Sequence, residues 1–225
     1  MGSAATPEPK SGPTRGRPPR LDRDRTIDEA LRLLDEGGLD ALTMRRLADA
    51  LNAQAGALYR YFATKQDLLT AMAERMLAGC ADVADSPDWA QTLAALAHRL
   101  RACLLAHRDG ARVYAGTRSI GPNTLGFAET AVAALIEADF APDDAARAMF
   151  AIVHFTIGHT LEEQAAADDL ADFAQLRSAL DPGTYPALAA AGAALTDPGF
   201  ATHFAFGLTA LIDGLRAGLR GACQG

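Results

Sequence analysis

Residues 42–68, LTMRRLADALNAQAGALYRYFATKQDL, decide the fold of this chain. In the first half of the stretch, apolar residues recur with the i, i+3, i+4, i+7 spacing of one helix face, namely Met44, Leu47, Ala48 and Leu51. Asn52 follows, and asparagine tolerates the left-handed backbone that a sharp turn between helices needs. Leu58 comes six residues later and is placed to pack back on this face. The spacing predicts a helix-turn-helix, a motif whose second helix enters the major groove of DNA.

Further helices are expected on both sides of this motif. Residues 22–34 predict a preceding helix that ends at the glycine pair 37–38, because glycine is a common helix stop. Thr43 is a suitable N-cap for the first helix of the motif, and residues 64–67, Thr-Lys-Gln-Asp, resemble the Thr-x-x-acid cap of the next helix. We expect this next helix, at about residues 64–82, to link the head to the remainder of the chain.

The charge of the chain is distributed unevenly. Residues 1–77 contain 12 basic and 11 acidic residues, whereas residues 78–225 contain 9 and 17, within a net charge of −7. Because the larger, acidic part would repel a polyanion, a phosphate-binding surface is expected only near the N-terminus. Residues 1–20 are rich in Pro, Gly, Ser and Thr and predict a disordered basic arm that follows phosphates or enters the minor groove, or else a solubilising tail. The arginines of this arm are Arg15, Arg17 and Arg20.

Composition argues against several classes of protein. No uninterrupted apolar run approaches the roughly 20 residues of a membrane helix, and the first 25 residues lack the apolar core of a signal peptide. We therefore expect a cytoplasmic protein without a membrane partner. Cys80, Cys103 and Cys223 match neither a disulfide framework nor a zinc motif, so reduced, packed thiols are expected. The chain has no Gly-rich phosphate loop and no G-x-S-x-G elbow, and we do not expect an enzyme.

The remainder of the chain predicts helices only. From Trp89 onward, apolar residues keep helical spacing between Gly and Pro interruptions, without the alternation typical of strands. We expect an all-α protein with a helix-turn-helix head over residues 21–68 and a helical body over residues 83–225. An apolar stripe in the last helix predicts either a helix bundle between two subunits or a core helix within the chain. The stripe consists of Phe200, Phe204, Leu208, Leu211, Ile212 and Leu215.

The head resembles the DNA-binding head of the tetracycline repressor (TetR) family. The family pattern is matched by Leu42-Thr43, Leu47-Ala48, Leu58-Tyr59, Tyr61-Phe62 and Lys65. The body resembles the effector domain of the tetracycline-repressor subfamily, through residues 106–113, 116–118, 154–158 and 161–164. The resemblance covers residues 21–220. It implies a regulator with a three-helix head and a body that binds a small-molecule effector and dimerises.

The resemblance also implies which residues contact DNA. Its recognition helix would span about residues 54–61, where Gln54 and Arg60 are able to hydrogen-bond base edges and the small Ala55 and Gly56 admit close approach. The rest of the expected DNA surface consists of Thr43, Arg45, Tyr59, Tyr61 and Lys65. One head makes too few contacts for tight specific binding, so a homodimer on a palindromic double-stranded operator is expected, with recognition helices about 34–36 Å apart.

The expected effector pocket departs from the tetracycline pattern. Tyr114 stands where the subfamily has a magnesium-binding His, and Ala81, Leu96 and Ala131 stand at positions of polar drug contacts. Because a phenol is a poor magnesium ligand, we expect a more apolar pocket for an apolar or aromatic molecule, with no metal or other cofactor required. Its expected lining is Leu96, Leu100, Tyr114, Thr117, Arg118, Val132, Met149 and His159, with Glu162 coming from the second subunit.

One cluster of side chains is a candidate metal site. It consists of His154, His159, Glu162 and Glu163, with His159 and Glu163 four residues apart on one helix face. A metal needs three or four convergent ligands, so we favour a hydrogen-bonded, neutral histidine instead.

Two functional hypotheses follow. The favoured one is a repressor that a small molecule releases from its operator. The alternative is an effector-independent architectural or protein-partnered DNA-binding dimer, which predicts a collapsed pocket and no ligand that alters DNA binding.

Overall fold

The computed structural model describes residues 22–84, 86–166 and 171–222, and all regular elements within these ranges are α-helices. The all-α prediction is confirmed. The basic arm, with Arg15, Arg17 and Arg20, lies outside the described residues. The helices are α1 (Arg23–Ala41), α2 (Met44–Ala50), α3 (Ala55–Leu58), α4 (Lys65–Met76), α5 (Trp89–Leu105), α6 (Gly110–Ala115), α7 (Pro122–Glu137), α8 (Pro142–Ala166), α9 (Ala171–Ala179), α10 (Pro186–Ala190), α11 (Gly192–Leu195) and α12 (Phe200–Ala222).

The head consists of α1, α2 and α3. The cap at Thr43 and the turn at Asn52 form as expected, but α1 continues beyond the glycine pair at which the sequence predicts its end. The hydroxyl of Thr43 accepts a hydrogen bond from the Arg46 amide and caps α2. Asn52 adopts φ 50° in the turn before α3. Gly38 has φ 74° and kinks α1, so that a short final turn continues to Ala41. These conformations turn the chain sharply enough for the three helices to bury a common core.

Helix α4 joins the head to the body. Thr64 and Asp67 form a capping box at its start, as the sequence predicts. The helix ends at Met76, earlier than the expected residue 82. The buried residues of α4 pack against both the head and the body, because a single buried cluster extends from the head through Met72 to Leu100 in the body. The predicted head and body therefore share one buried core, and the predicted boundary between residues 68 and 83 separates their expected functions only.

A second core lies between α5, α8 and α12. Phe204, Leu208 and Ile212 of α12 are buried in it, and Phe204 is 0% exposed. Leu211 and Leu215 are half-buried against the same core, and the half-buried Phe200 ring packs against His159 of α8. The structure thus corrects the expectation that this stripe joins two subunits, because the stripe packs within its own chain.

Candidate nucleic-acid interface and ligand cleft

The expected recognition residues lie together on one exposed surface of the head. Helix α3 begins after Gln54, and a tight turn continues it, since the amides of Tyr61 and Phe62 both donate to the Leu58 carbonyl. Leu58 and Phe62 are buried beneath this turn. The outward side consists of Gln54, Ala55, Gly56, Tyr59, Arg60 and Tyr61, all of which are exposed. A Cβ added at Gly56 would meet no atom within 4 Å, so this surface is open to a groove floor.

The expected phosphate contacts border this surface. Thr43 and Arg45 are exposed at the start of α2. Lys65 is half-buried at the first position of α4, and its ammonium group donates a 3.4 Å hydrogen bond to the Leu39 carbonyl. This bond is long for N–H···O, so the Lys65 charge remains available to a phosphate at little cost.

A cleft of about 600 Å³ lies between the end of α6 and one face of α8. Three of the expected pocket residues, Tyr114, Thr117 and Arg118, line one wall. The opposite wall includes Phe150 and His154, whose rings stack with centroids 5.7 Å apart. The remaining lining residues are Ala115, Ser119, Val153, Ile157, Gly158 and Leu161.

The polar groups of the cleft differ in what they offer a ligand. Burial raises the pKa of Tyr114, with smaller contributions from Cys80 and Glu74, so its phenol stays protonated at neutral pH. The Thr117 hydroxyl donates to the Tyr114 carbonyl at 3.0 Å. Arg118 is exposed, and no carboxylate within the described ranges pairs with it. The cleft thus combines aromatic walls with an uncommitted guanidinium group.

Other expected pocket residues lie elsewhere. Leu96 and Leu100 are each 1% exposed and belong to the buried core rather than to the cleft walls. Val132 and Met149 line a separate groove of about 540 Å³ on α7. Glu162 is exposed on α8. The cleft residues of α8 could not be selected as pocket lining from the sequence, because the helical spacing of that segment does not reveal which face α6 covers.

His159 lies in an aromatic enclosure rather than in the cleft. Its ring centroid is 5.2 Å from that of Phe204, and rings of Phe155 and Phe200 are within 6 Å. Its Nδ1 atom is buried without a hydrogen-bond partner and lies 3.9 Å from Glu163, which Arg101 binds through two hydrogen bonds. Within the part of the chain that is described, no group of three His, Cys, Asp or Glu side chains is arranged to hold a metal.

Polar contacts join the head to the body near the cleft. The Leu39 amide donates to Asp109 at 2.7 Å, and Arg112 of α6 forms an ion pair with Asp40 at 3.1 Å. His107 contacts Asp35 at 3.1 Å. These contacts attach α6 and the turn before it to the last part of α1. In the described ranges no helix is both long and apolar enough to cross a membrane.

Comparison with known proteins matches both parts of the chain. The family model described as "Bacterial regulatory proteins, tetR family" matches residues 27–72, and that described as "Tetracyclin repressor-like, C-terminal domain" matches residues 82–219. The tetracycline repressor protein class C of Escherichia coli is 38% identical over 200 residues, which are 87% of this chain and 91% of the relative.

Two solved structures extend these similarities. A possible TetR family transcriptional regulator from Streptomyces coelicolor A3(2) is 59% identical, with TM-score 0.81. The match covers 87% of this chain and 99% of the regulator's chain. A single-residue variant of TetR from Acinetobacter baumannii AYE, in complex with minocycline, is 37% identical, with TM-score 0.72. The match covers 89% of this chain and 99% of the variant's chain. Both the head and the helical body thus have counterparts of known structure.

Proposed function

This chain belongs to the TetR family of bacterial transcriptional regulators, which are not enzymes, and from that membership we propose that it is a cytoplasmic repressor released from a palindromic operator by a small aromatic ligand. The observation that carries the proposal is the combination of an exposed recognition surface on the head with an open cleft in the body. The alternative of an effector-independent dimer predicts a collapsed pocket, and the cleft of about 600 Å³ argues against it.

The repressor acts as a homodimer in this proposal. Helices α8 and α12 pack together and share an outer face of small or apolar residues. Ala151 is exposed on α8, and Phe206, Ala210 and Gly214 are exposed on α12. Phe206 is 79% exposed, so its burial against a second copy would remove a large apolar surface from water. Burying this face against a second copy would place Glu162 of α8 beside the partner, as the family resemblance implies.

The ligand that fits the cleft best is a planar aromatic molecule with an acidic group. Phe150 and His154 offer stacked rings, and Arg118 offers a planar guanidinium suited to a carboxylate. The A. baumannii relative forms a complex with minocycline, which supports a small-molecule ligand for this chain as well. The family resemblance implies that Tyr114 stands where the subfamily has a magnesium ligand, so in this proposal Arg118 recognises the acid directly in place of a metal bridge.

Ligand binding and DNA binding are coupled through the joint between α6 and the head. A ligand between α6 and α8 shifts α6 and its contacts with α1 and α4, which changes the separation of the two heads. Such coupling is reciprocal and is typically worth about 1–3 kcal/mol. Ligand and operator should therefore weaken each other's binding by the same factor.

The DNA-binding part is tested by selecting operator sequences from a random duplex library and footprinting the selected site. We expect two protected half-sites in inverted orientation, separated by about one helical turn. Arg60→Ala should weaken binding to the selected site by about 1–3 kcal/mol. Arg147→Ala, at an exposed position on α8 in the body, should leave binding unchanged. A single unrepeated half-site would contradict the dimeric repressor.

The ligand part is tested with a matched pair of probes, anthraquinone-2-carboxylate and anthraquinone-2-carboxamide. Calorimetry should show tighter binding of the acid, and Arg118→Met should remove most of that preference because the charge of the cation is lost. Fluorescence anisotropy should show release of the operator by the acid. Equal binding of both probes to the wild-type protein would refute the role of Arg118.

A further inference from the structure

A carboxylate on the linker helix α4 caps a different helix, α7. Glu74 accepts hydrogen bonds from the amides of Asn123 at 2.5 Å and Thr124 at 3.3 Å, and from the Thr124 hydroxyl at 2.6 Å. Gly121, at the N-cap position, has no side chain to satisfy these amides. A Cβ added at Gly121 would overlap the Glu74 carboxyl group. Helix α4 therefore supplies the cap that α7 lacks.

The same carboxylate reaches the wall of the ligand cleft. The Ser119 hydroxyl donates to Glu74 at 2.6 Å and accepts from the Gly121 amide at 3.3 Å. Ser119 lines the cleft beside Thr117 and Arg118. A molecule that draws this segment toward itself would pull the Ser119 hydroxyl away from Glu74.

The next residue of α4 binds the head. The guanidinium of Arg75 donates to Asp24 at 2.8 Å and also to Asp28, both on α1. Consecutive side chains of α4 thus bind α7 in the body and α1 in the head. A small rotation of this part of α4 changes both sets of contacts together.

The charge of Glu74 suits this position. Burial raises its pKa, but hydrogen bonds from Ser119, Thr124 and the amides of residues 123 and 124 outweigh burial and hold the pKa below its usual value. Glu74 is therefore ionised at neutral pH. A negative charge is favourable at the N-terminal end of a helix such as α7.

We propose that Glu74 is a positioning residue that transmits occupancy of the cleft to α1, because it holds the cleft residue Ser119 and the start of α7 against α4. This inference rests on the proposed function, since it explains how a ligand in the cleft would alter the head.

The first experiment measures transmission without a ligand, by hydrogen–deuterium exchange. In Glu74→Gln, amides at residues 122–125 and in the first two turns of α1 should exchange at least tenfold faster, while the slowest amides of α8 stay unchanged as a reference for global stability. Glu129→Gln, on the exposed side of α7, is the matched control and should change neither region. A purely structural cap would accelerate exchange in α7 but not in α1, and that result would overturn the inference.

A second variant keeps the inference testable if Glu74→Gln folds poorly. Ser119→Ala removes only the cleft-side hydrogen bond and should accelerate exchange in α1 in the same direction, by a smaller factor. The double variant should be no faster than Glu74→Gln alone, because both changes act on one contact. Independent, multiplicative effects would overturn the inference.

The final experiment measures coupling, using anthraquinone-2-carboxylate as the probe. The probe should raise the operator Kd of both proteins, and the fold increase should be at least five times larger for the wild-type protein than for Glu74→Gln. Glu74→Asp should recover part of this difference. Equal shifts in both proteins would overturn the inference and leave the proposed function intact. If the probe moves neither protein while the exchange result holds, transmission through Glu74 stands and the proposed ligand class fails.

Discussion

At the scale of single residues, two carboxylates of the described chain are compensated by neighbouring groups, whereas the imidazole of His159 is not. The Glu163 carboxylate receives two hydrogen bonds from Arg101, and Glu74 receives several from α7 and its preceding turn. His159 has only aromatic rings around most of its imidazole, and its Nδ1 atom lacks a partner. Burial, opposed in part by Glu163, lowers its pKa from the usual 6.5, with smaller lowering effects from Arg101 and His203.

The lowered pKa of His159 predicts a loss of stability in acid. Below pH 6.5 the unfolded chain binds a proton that the folded chain resists, so the free energy of unfolding falls as the pH drops through 6.5 toward the folded pKa. Urea unfolding of wild type and His159→Gln at fixed protein concentration should show a smaller loss between pH 7 and pH 5 in the variant. His154→Gln, at an exposed position on α8, should follow wild type. Identical slopes for wild type and His159→Gln would rule out this source of acid sensitivity.

At the scale of elements, helix ends are held by contacts that cross between helices. Helix α1 changes direction at Gly38, and the amide of Leu39 then reaches the Asp109 carboxylate before α6. The kink therefore serves to bring the end of α1 onto the body. A straight α1 would lose this contact.

Substitution of Gly38 tests the importance of the kink. Gly38→Ala places a Cβ at φ 74°, 2.9 Å from the Asp109 carboxylate, and should lower stability by about 1–2 kcal/mol or more. For a chain of this length, each kcal/mol corresponds to a Tm shift of about 2–4 °C in calorimetry. Gly56→Ala is the matched control, since nothing lies within 4 Å of its added Cβ and helix propensity should raise Tm slightly. Equal Tm values for the two variants would contradict the assigned strain.

At the scale of the whole molecule, α12 separates two roles that its sequence does not distinguish. Phe204 is 0% exposed in the second core, whereas Phe206, two residues later, is 79% exposed on the opposite face. One face therefore stabilises the protomer, and the other is the proposed contact with a second subunit.

The two phenylalanines should respond differently to substitution. Phe206→Asp should shift the protein from dimer to monomer in sedimentation velocity, because it introduces a charge into a face that dimerisation buries. Phe204→Ala should lower the free energy of unfolding by about 3–5 kcal/mol through loss of packing. A Phe206→Asp protein that remains dimeric at the wild-type concentration dependence would place the subunit interface elsewhere.

Local interactions explain what could be predicted from the chain alone. The caps at Thr43 and Thr64 and the left-handed turn at Asn52 involve residues three or four positions apart, so the helix-turn-helix is evident from residue types and spacing. The all-α class follows from the same short-range periodicity. The DNA-binding and ligand-binding residues remain predictions. Residues 54–56 and 59–61 lie together on one exposed surface, whereas the arginines of the basic arm lie outside the described residues.

Packing between distant segments decided the rest. Leu96 and Leu100 were expected in the pocket but face the core. For Phe204 the sequence left a subunit contact and a core position open, and the residue lies inside the chain. Helical periodicity identifies an apolar face without identifying the helix that will cover it. The cleft between α6 and α8 and the Glu74 cap of α7 join residues about 35 to 50 positions apart, and only the folded arrangement of helices brings them together.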